Sequence, residues 1–120
     1  MKPTLVIGAS DNPARYAYKA VESLVNHGHS VIAFGKRKGT SIGDVDIRND
    51  WNTTWKVDTV TLYINPKIQE DYYKMIIGLK PKRVIFNPGT ENPVFYKMLE
   101  ERKIKVEIAC TLVMLSIGDY

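Results

Sequence analysis

Leu5-Val6-Ile7-Gly8-Ala9-Ser10-Asp11-Asn12-Pro13-Ala14-Arg15-Tyr16 is the stretch on which the reading of this chain turns. Three apolar residues run into a glycine, a polar turn and a proline, which describes a buried strand handing directly to a helix. From Tyr16 the apolar period changes. Tyr16, Ala20, Val21, Leu24 and Val25 fall on one face at helical spacing, and His27-Gly28 ends the helix. Glycine at position 8 lets the backbone turn sharply and come close to a ligand, and Ala9-Ser10 continues the turn with a hydroxyl. Asn12 is placed to cap the helix, whose first free N–H groups and positive dipole end attract phosphate. Arg15 and Lys19 bring charge to the same mouth. Only the first glycine of a G-x-G-x-x-G fingerprint is present, so the turn alone also fits a plain strand-to-helix connection.

Outward from this unit the pattern repeats. Val31-Ile32-Ala33-Phe34 reads as a second strand. Residues 35 to 56 are rich in Gly, Asp, Asn and Thr, with at most a short edge strand at Val45-Asp46-Ile47. Val57 to Ile64 is β-rich and reads as a central strand. Pro66 opens a helix with Ile68, Tyr72, Met75, Ile76 and Leu79 on one face, and Arg83 to Phe86 is the next strand. Asn92-Pro93 is a cap followed by a first-turn proline, and its helix buries Val94, Phe95, Met98 and Leu99. Ile104 to Ile108 gives a last strand, and Thr111 to Ile117 a closing apolar helix or turn. Strands alternating with helices imply parallel pairing through right-handed crossovers, and near-continuous apolar strands imply a sheet covered on both sides. The expected architecture is α/β: a Rossmann-like, doubly wound, mainly parallel sheet of about five strands in one domain over residues 1–120.

In such sheets ligands bind beyond the carboxyl ends of the strands, where the strand order reverses. A domain built for NAD carries an acidic residue at the end of strand two to hold the ribose hydroxyls. This chain has Gly35-Lys36-Arg37-Lys38-Gly39 there. Cations in place of the carboxylate suit a phosphorylated ribose, which both coenzyme A and NADP supply. The alternative is a solvated basic loop. Overall the chain carries a formal net charge of +4, which favours an anionic partner. Its cations are spread out and no aromatic RNA-binding signature accompanies them, which argues against nucleic acid.

The run from Gly8 to Val21 resembles the opening motif of the small stand-alone CoA-binding-domain proteins of bacteria. Asp58 to Tyr63, Asn87 to Asn92 and Ala109 to Leu115 match further motifs in the same order, so the resemblance spans essentially the whole chain. The family is similar to the CoA-binding domain of the succinyl-CoA synthetase α subunit, which implies coenzyme A lying across the carboxyl edge. By motif position, Gly8-Ala9-Ser10 and Arg15 would hold the diphosphate. Lys36, Arg37 and Lys38 would face the adenosine and 3′-phosphate, with Lys38 the closest match to a CoA-contacting lysine of the synthetases. Ile64-Asn65-Pro66 would border the pantetheine arm. The synthetases also need a phosphohistidine domain and a partner subunit, so ligase activity by this chain alone is not expected. A carrier, sensor or accessory role is expected instead, with an NADP-binding oxidoreductase domain as the alternative.

No Ser-His-Asp, Cys-His or paired-carboxylate arrangement can be assembled, so no catalytic residue and no metal site is assigned. His27 and His29 flank Gly28 on the return to strand two, away from the expected site. Cys110 follows the last strand and reads either as core packing or as a thiol able to meet a CoA thiol. Glu91 reads as a helix-start charge or a substrate-orienting group. Tyr16, Tyr18, Trp51 and Trp55 read as core or as base-stacking surfaces. A single cysteine suggests a reducing, cytoplasmic setting, no apolar run reaches membrane-spanning length, and the apolar Thr111–Ile117 segment is compatible with a homodimer.

Overall fold

The computed structural model describes residues 1–37 and 39–120. β1 (Thr4–Ile7) leads through α1 (Tyr16–Asn26) to β2 (Val31–Phe34), and a hairpin of β3 (Ser41–Ile42) and β4 (Val45–Arg48) comes next. The chain then crosses to β5 (Thr59–Leu62), α2 (Pro66–Gln69), a 3-10 turn (Glu70–Tyr72) and α3 (Tyr73–Leu79). β6 (Arg83–Phe86), α4 (Pro93–Glu101), β7 (Lys105–Ile108) and α5 (Thr111–Ser116) complete it. The strands lie in the order β3-β4-β2-β1-β5-β6-β7. All pair in parallel except the β3–β4 hairpin.

The expected α/β sheet with helices on both faces is present. Its strand number is seven among the described residues, not about five. The difference lies in residues 41–48, where only Ile42 and Ile47 are buried. Two buried side chains leave too little apolar pattern to announce two strands. Segment 45–48 is also not an edge: β4 lies between β2 and the two-residue β3. The hairpin turns at Gly43, whose φ of +58° is easily adopted only without a side chain.

Alternation along the strands sorts the core into two layers. Leu5, Ile7, Val60, Leu62, Val84 and Phe86 face Ile76, Phe95 and Leu99 of α3 and α4. Val6 and Ala33 face Ala17, Val21 and Leu24 of α1 and Leu115 of α5. Every residue of β1, β5 and β6 is buried, as central strands of a doubly covered sheet must be.

The structure departs from the sequence pattern at two places. The helix opened by Pro66 is interrupted by the 3-10 turn, and at the break Gln69 is fully buried. Its amide donates to Ile64 O (2.9 Å) and Thr90 O (2.8 Å) and accepts from Asn92 Nδ2 (2.9 Å). At the other end of the sheet, Tyr120 packs on His29, with ring centroids 4.9 Å apart, and its hydroxyl meets Thr4 Oγ1 at 2.6 Å. The Arg83 guanidinium lies over the same ring, 4.3 Å from its centroid.

Candidate functional site

β1 has β2 on one side and β5 on the other, so the chain reverses its direction of travel across the sheet at β1. Beyond the carboxyl ends of these strands lies a cleft of about 740 Å³. Its walls are the β1–α1 turn, the loop after β2, the β5–α2 connection and the β6–α4 loop. A cleft of this size and place is the usual ligand site of an open α/β sheet.

The cleft exists because two glycines let backbones approach. A Cβ on Gly8, at φ +94°, would lie 2.9 Å from Tyr63 O, and one on Gly35 would lie 2.2 Å from Ala9 O. Gly8 therefore keys β1 to the end of β5, and Gly35 keys the β2 loop to the β1 turn.

Hydrogen bonds hold the turn in place. The Gly8 and Ala9 N–H groups both donate to Phe34 O at 2.9 Å, so they fix the turn rather than face a ligand. Asn12 does not cap α1: its Oδ1 accepts from Ala14 N at 3.0 Å, within the turn. The N-cap is Arg15, without a side-chain hydrogen bond, and the first turn of α1 holds no acidic residue. Arg15, Tyr16 and Ala17 line the cleft. The positive end of an 11-residue helix, uncompensated by its own sequence, is thus turned to the cleft.

Gly8, Ala9, Ser10, Asn12, Arg15, Lys36, Arg37, Ile64 and Asn65 all line this cleft. Lys19 and Pro66 do not. Lys19 Nζ lies 5.5 Å from the Tyr16 ring centroid, on the outer face of α1. Pro66 is the first residue of α2, and Asn65 caps that helix by accepting from Ile68 N at 3.0 Å. Lys38 lies outside the described residues. Arg37 reaches Asp11 at 3.9 Å, with its side chain 79% exposed; so exposed a pair leaves the guanidinium available to a ligand.

The sequence does not single out several wall residues: Thr40, Ile47, Tyr63, Ile68, Tyr72, and Pro88-Gly89-Thr90. Phe34 and Tyr72 connect the cleft to an aromatic cluster. Phe34 packs edge-on against Trp51 (5.3 Å), Tyr72 (5.6 Å) and Trp55 (6.3 Å). Trp51 and Trp55 support the wall without lining the cleft, and Tyr18 packs in the core beneath α1. Glu91 accepts from Gly89 N at 2.8 Å. It stabilises the β6–α4 loop, while the N-cap of α4 is Asn92.

Below that loop lies a buried polar cluster. Asn87 Nδ2 donates to Thr61 Oγ1 (2.7 Å) and Leu62 O (2.9 Å), and its Oδ1 accepts from Thr111 N (2.9 Å). Thr61 and Thr111 share a 2.8 Å hydrogen bond beside the buried Tyr63 hydroxyl. Burial holds that phenol protonated, well above its ordinary range. Cys110 is half-buried at the start of α5. His27 is exposed at the end of α1 and His29 sits at the amino edge beside Lys2, neither near the cleft. Among the described residues no cluster of His, Cys, Asp and Glu could hold a metal, and no helix is long and apolar enough to cross a membrane.

Fold and cleft define a Rossmann-like α/β protein with an open cleft at the carboxyl edge of its sheet. Residues 2–116 match the CoA binding domain family, and the chain belongs to that family. Among solved structures it is similar to an uncharacterised protein, at 51% identity and a TM-score of 0.96, covering 100% of this chain and 98% of that one. A Thermus thermophilus protein aligns at 23% identity and TM-score 0.85, over 99% of this chain and 91% of that one. A hypothetical protein from Pyrococcus horikoshii aligns at 24% and 0.85, over 97% and 82%. These last two share the fold. No curated protein matches the chain.

Proposed function

We propose that the chain binds coenzyme A or an acyl-CoA in the cleft at the β1/β5 crossover, as a carrier, sensor or accessory subunit without catalysis of its own. The carrying observation is the coincidence of family membership with an uncapped helix start and three cations, Arg15, Lys36 and Arg37, lining one cleft. Arg15 and the first N–H groups of α1 take the diphosphate. Lys36 and Arg37 take the ribose phosphate, with Lys38 next in sequence. Ile64, Ile68 and Tyr72 offer the apolar wall for the pantetheine arm. The residues fit the group: a cleft of about 740 Å³ at the carboxyl edge carries Arg15, Lys36 and Arg37 opposite the negative charge of its phosphates.

Calorimetric titration with CoA, dephospho-CoA, NADP and NAD at one salt concentration tests this. CoA should bind tightest, and loss of its 3′-phosphate should weaken binding about tenfold or more. Lys36→Ala with Arg37→Ala should abolish that difference between CoA and dephospho-CoA. Binding of NADP with silence toward CoA would overturn the reading in favour of an oxidoreductase domain.

A further inference from the structure

β7 is the last strand of the sheet, and its outer backbone is open. Lys105 N donates inward to Lys82 O (3.0 Å) and Ala109 N to Phe86 O (3.2 Å). By strand alternation, the peptide groups of Val106 and Ile108 turn outward. The opposite edge, β3, is only two residues long, whereas β7 has four. At the end of this open edge Ile108 is 61% exposed. Lys105 and Glu107 share one side of the strand, and Val106 and Ile108 the other.

We propose that β7 pairs antiparallel with β7 of a second copy of this chain, about a two-fold axis at Val106, joining two sheets into one. Charge order selects both the partner and the register. With the axis at Val106, Lys105 of each copy stands opposite Glu107 of the other, so one complementary pair is formed twice. Within one chain Glu107 already holds Lys105 Nζ at 3.0 Å and Arg83 Nη1 at 3.5 Å. The dimer turns these into an alternating quartet of lysines and glutamates. On the apolar side Val106 meets its own copy and Ile108 meets Ile104. An axis at Glu107 would oppose that carboxylate to itself. An axis at Ile108 would leave Lys105 opposite Thr111, with no acid across the strand.

Sedimentation equilibrium from micromolar to near-millimolar protein tests the pairing. The unmodified chain should dimerise. Val106→Pro removes an outward N–H and no bond to β6, because an edge strand tolerates proline there; its dissociation constant should rise about tenfold or more. Lys105→Glu places like charges opposite twice and should weaken the dimer to a similar degree, with circular dichroism confirming that both variants fold. Lys97→Glu, an equal charge change on exposed α4, should dimerise as the unmodified chain does. A chain that stays monomeric throughout would overturn the proposal and leave the edge to a partner of another sequence. A dimer indifferent to both β7 substitutions would overturn it equally.

Discussion

Gly35 is confined at the cleft because the Ala9 carbonyl oxygen lies 2.2 Å from where a Cβ would stand. Gly35→Ala must push the β2 loop off the β1 turn and should destabilise the chain by about 3 kcal/mol, read from chemical denaturation. At the far edge, His29 Nδ1 accepts the Lys2 N–H at 2.9 Å, a bond that protonation of that nitrogen removes. Burial, with the positive charges of the N-terminus, His27, Lys2 and Arg83 adding to it, holds the imidazole below its ordinary pKa of 6.5. The unfolded chain then binds a proton that the folded chain resists. Stability should be level above pH 6.5 and fall as the pH drops through and below it. His29→Asn, which keeps an acceptor and does not titrate, should flatten that acid limb in urea titrations at several pH values.

Between elements, Asn87 ties three together: β6, after which it comes, β5 through Thr61 and Leu62, and the first turn of α5 through Thr111 N. Asn87→Ala strands the Thr111 N–H in the interior and should cost about 3 kcal/mol. Thermal melts should show a lowered Tm. The same elements mark what the sequence makes legible. β1, β2 and β6 are readable because burial in a covered sheet writes apolar runs, and β5 from its β-branched residues. α1 and α4 are readable from their period and, for α4, from Asn92-Pro93, although Tyr16, Val25 and Val94, read on the apolar faces, are exposed. The β3–β4 hairpin is not, since pairing rather than apolar content makes it. The break at Gln69 is not either, because a polar residue in a helical run looks like solvent-facing surface until Thr90 and Asn92, 21 and 23 positions later, are seen to receive it. In the cleft, charged and turn residues stand out by type and place. Tyr63, Ile68, Tyr72 and Pro88-Gly89-Thr90 escape because apolar and turn residues carry no chemical label.

For the molecule as a whole, the net charge of +4 is a diffuse field, and the cleft concentrates part of it at Arg15, Lys36 and Arg37. CoA affinity should therefore fall steadily as sodium chloride is raised, and Arg15→Ala should make that slope shallower; titrations at three salt concentrations read both. The Gly8 and Gly35 approaches and the Asn87 cluster hold the cleft's floor and far wall in place before any ligand arrives, so less ordering remains to be done on binding. The chain's two tryptophans, Trp51 and Trp55, pack in one cluster against Phe34 and Tyr72, which themselves face the cleft. Indole emission from this protein is therefore a local signal, confined to one wall of the site. A pantetheine arm settling against Tyr72 would change the colour or brightness of that light, and a ligand could be followed in solution with no label attached.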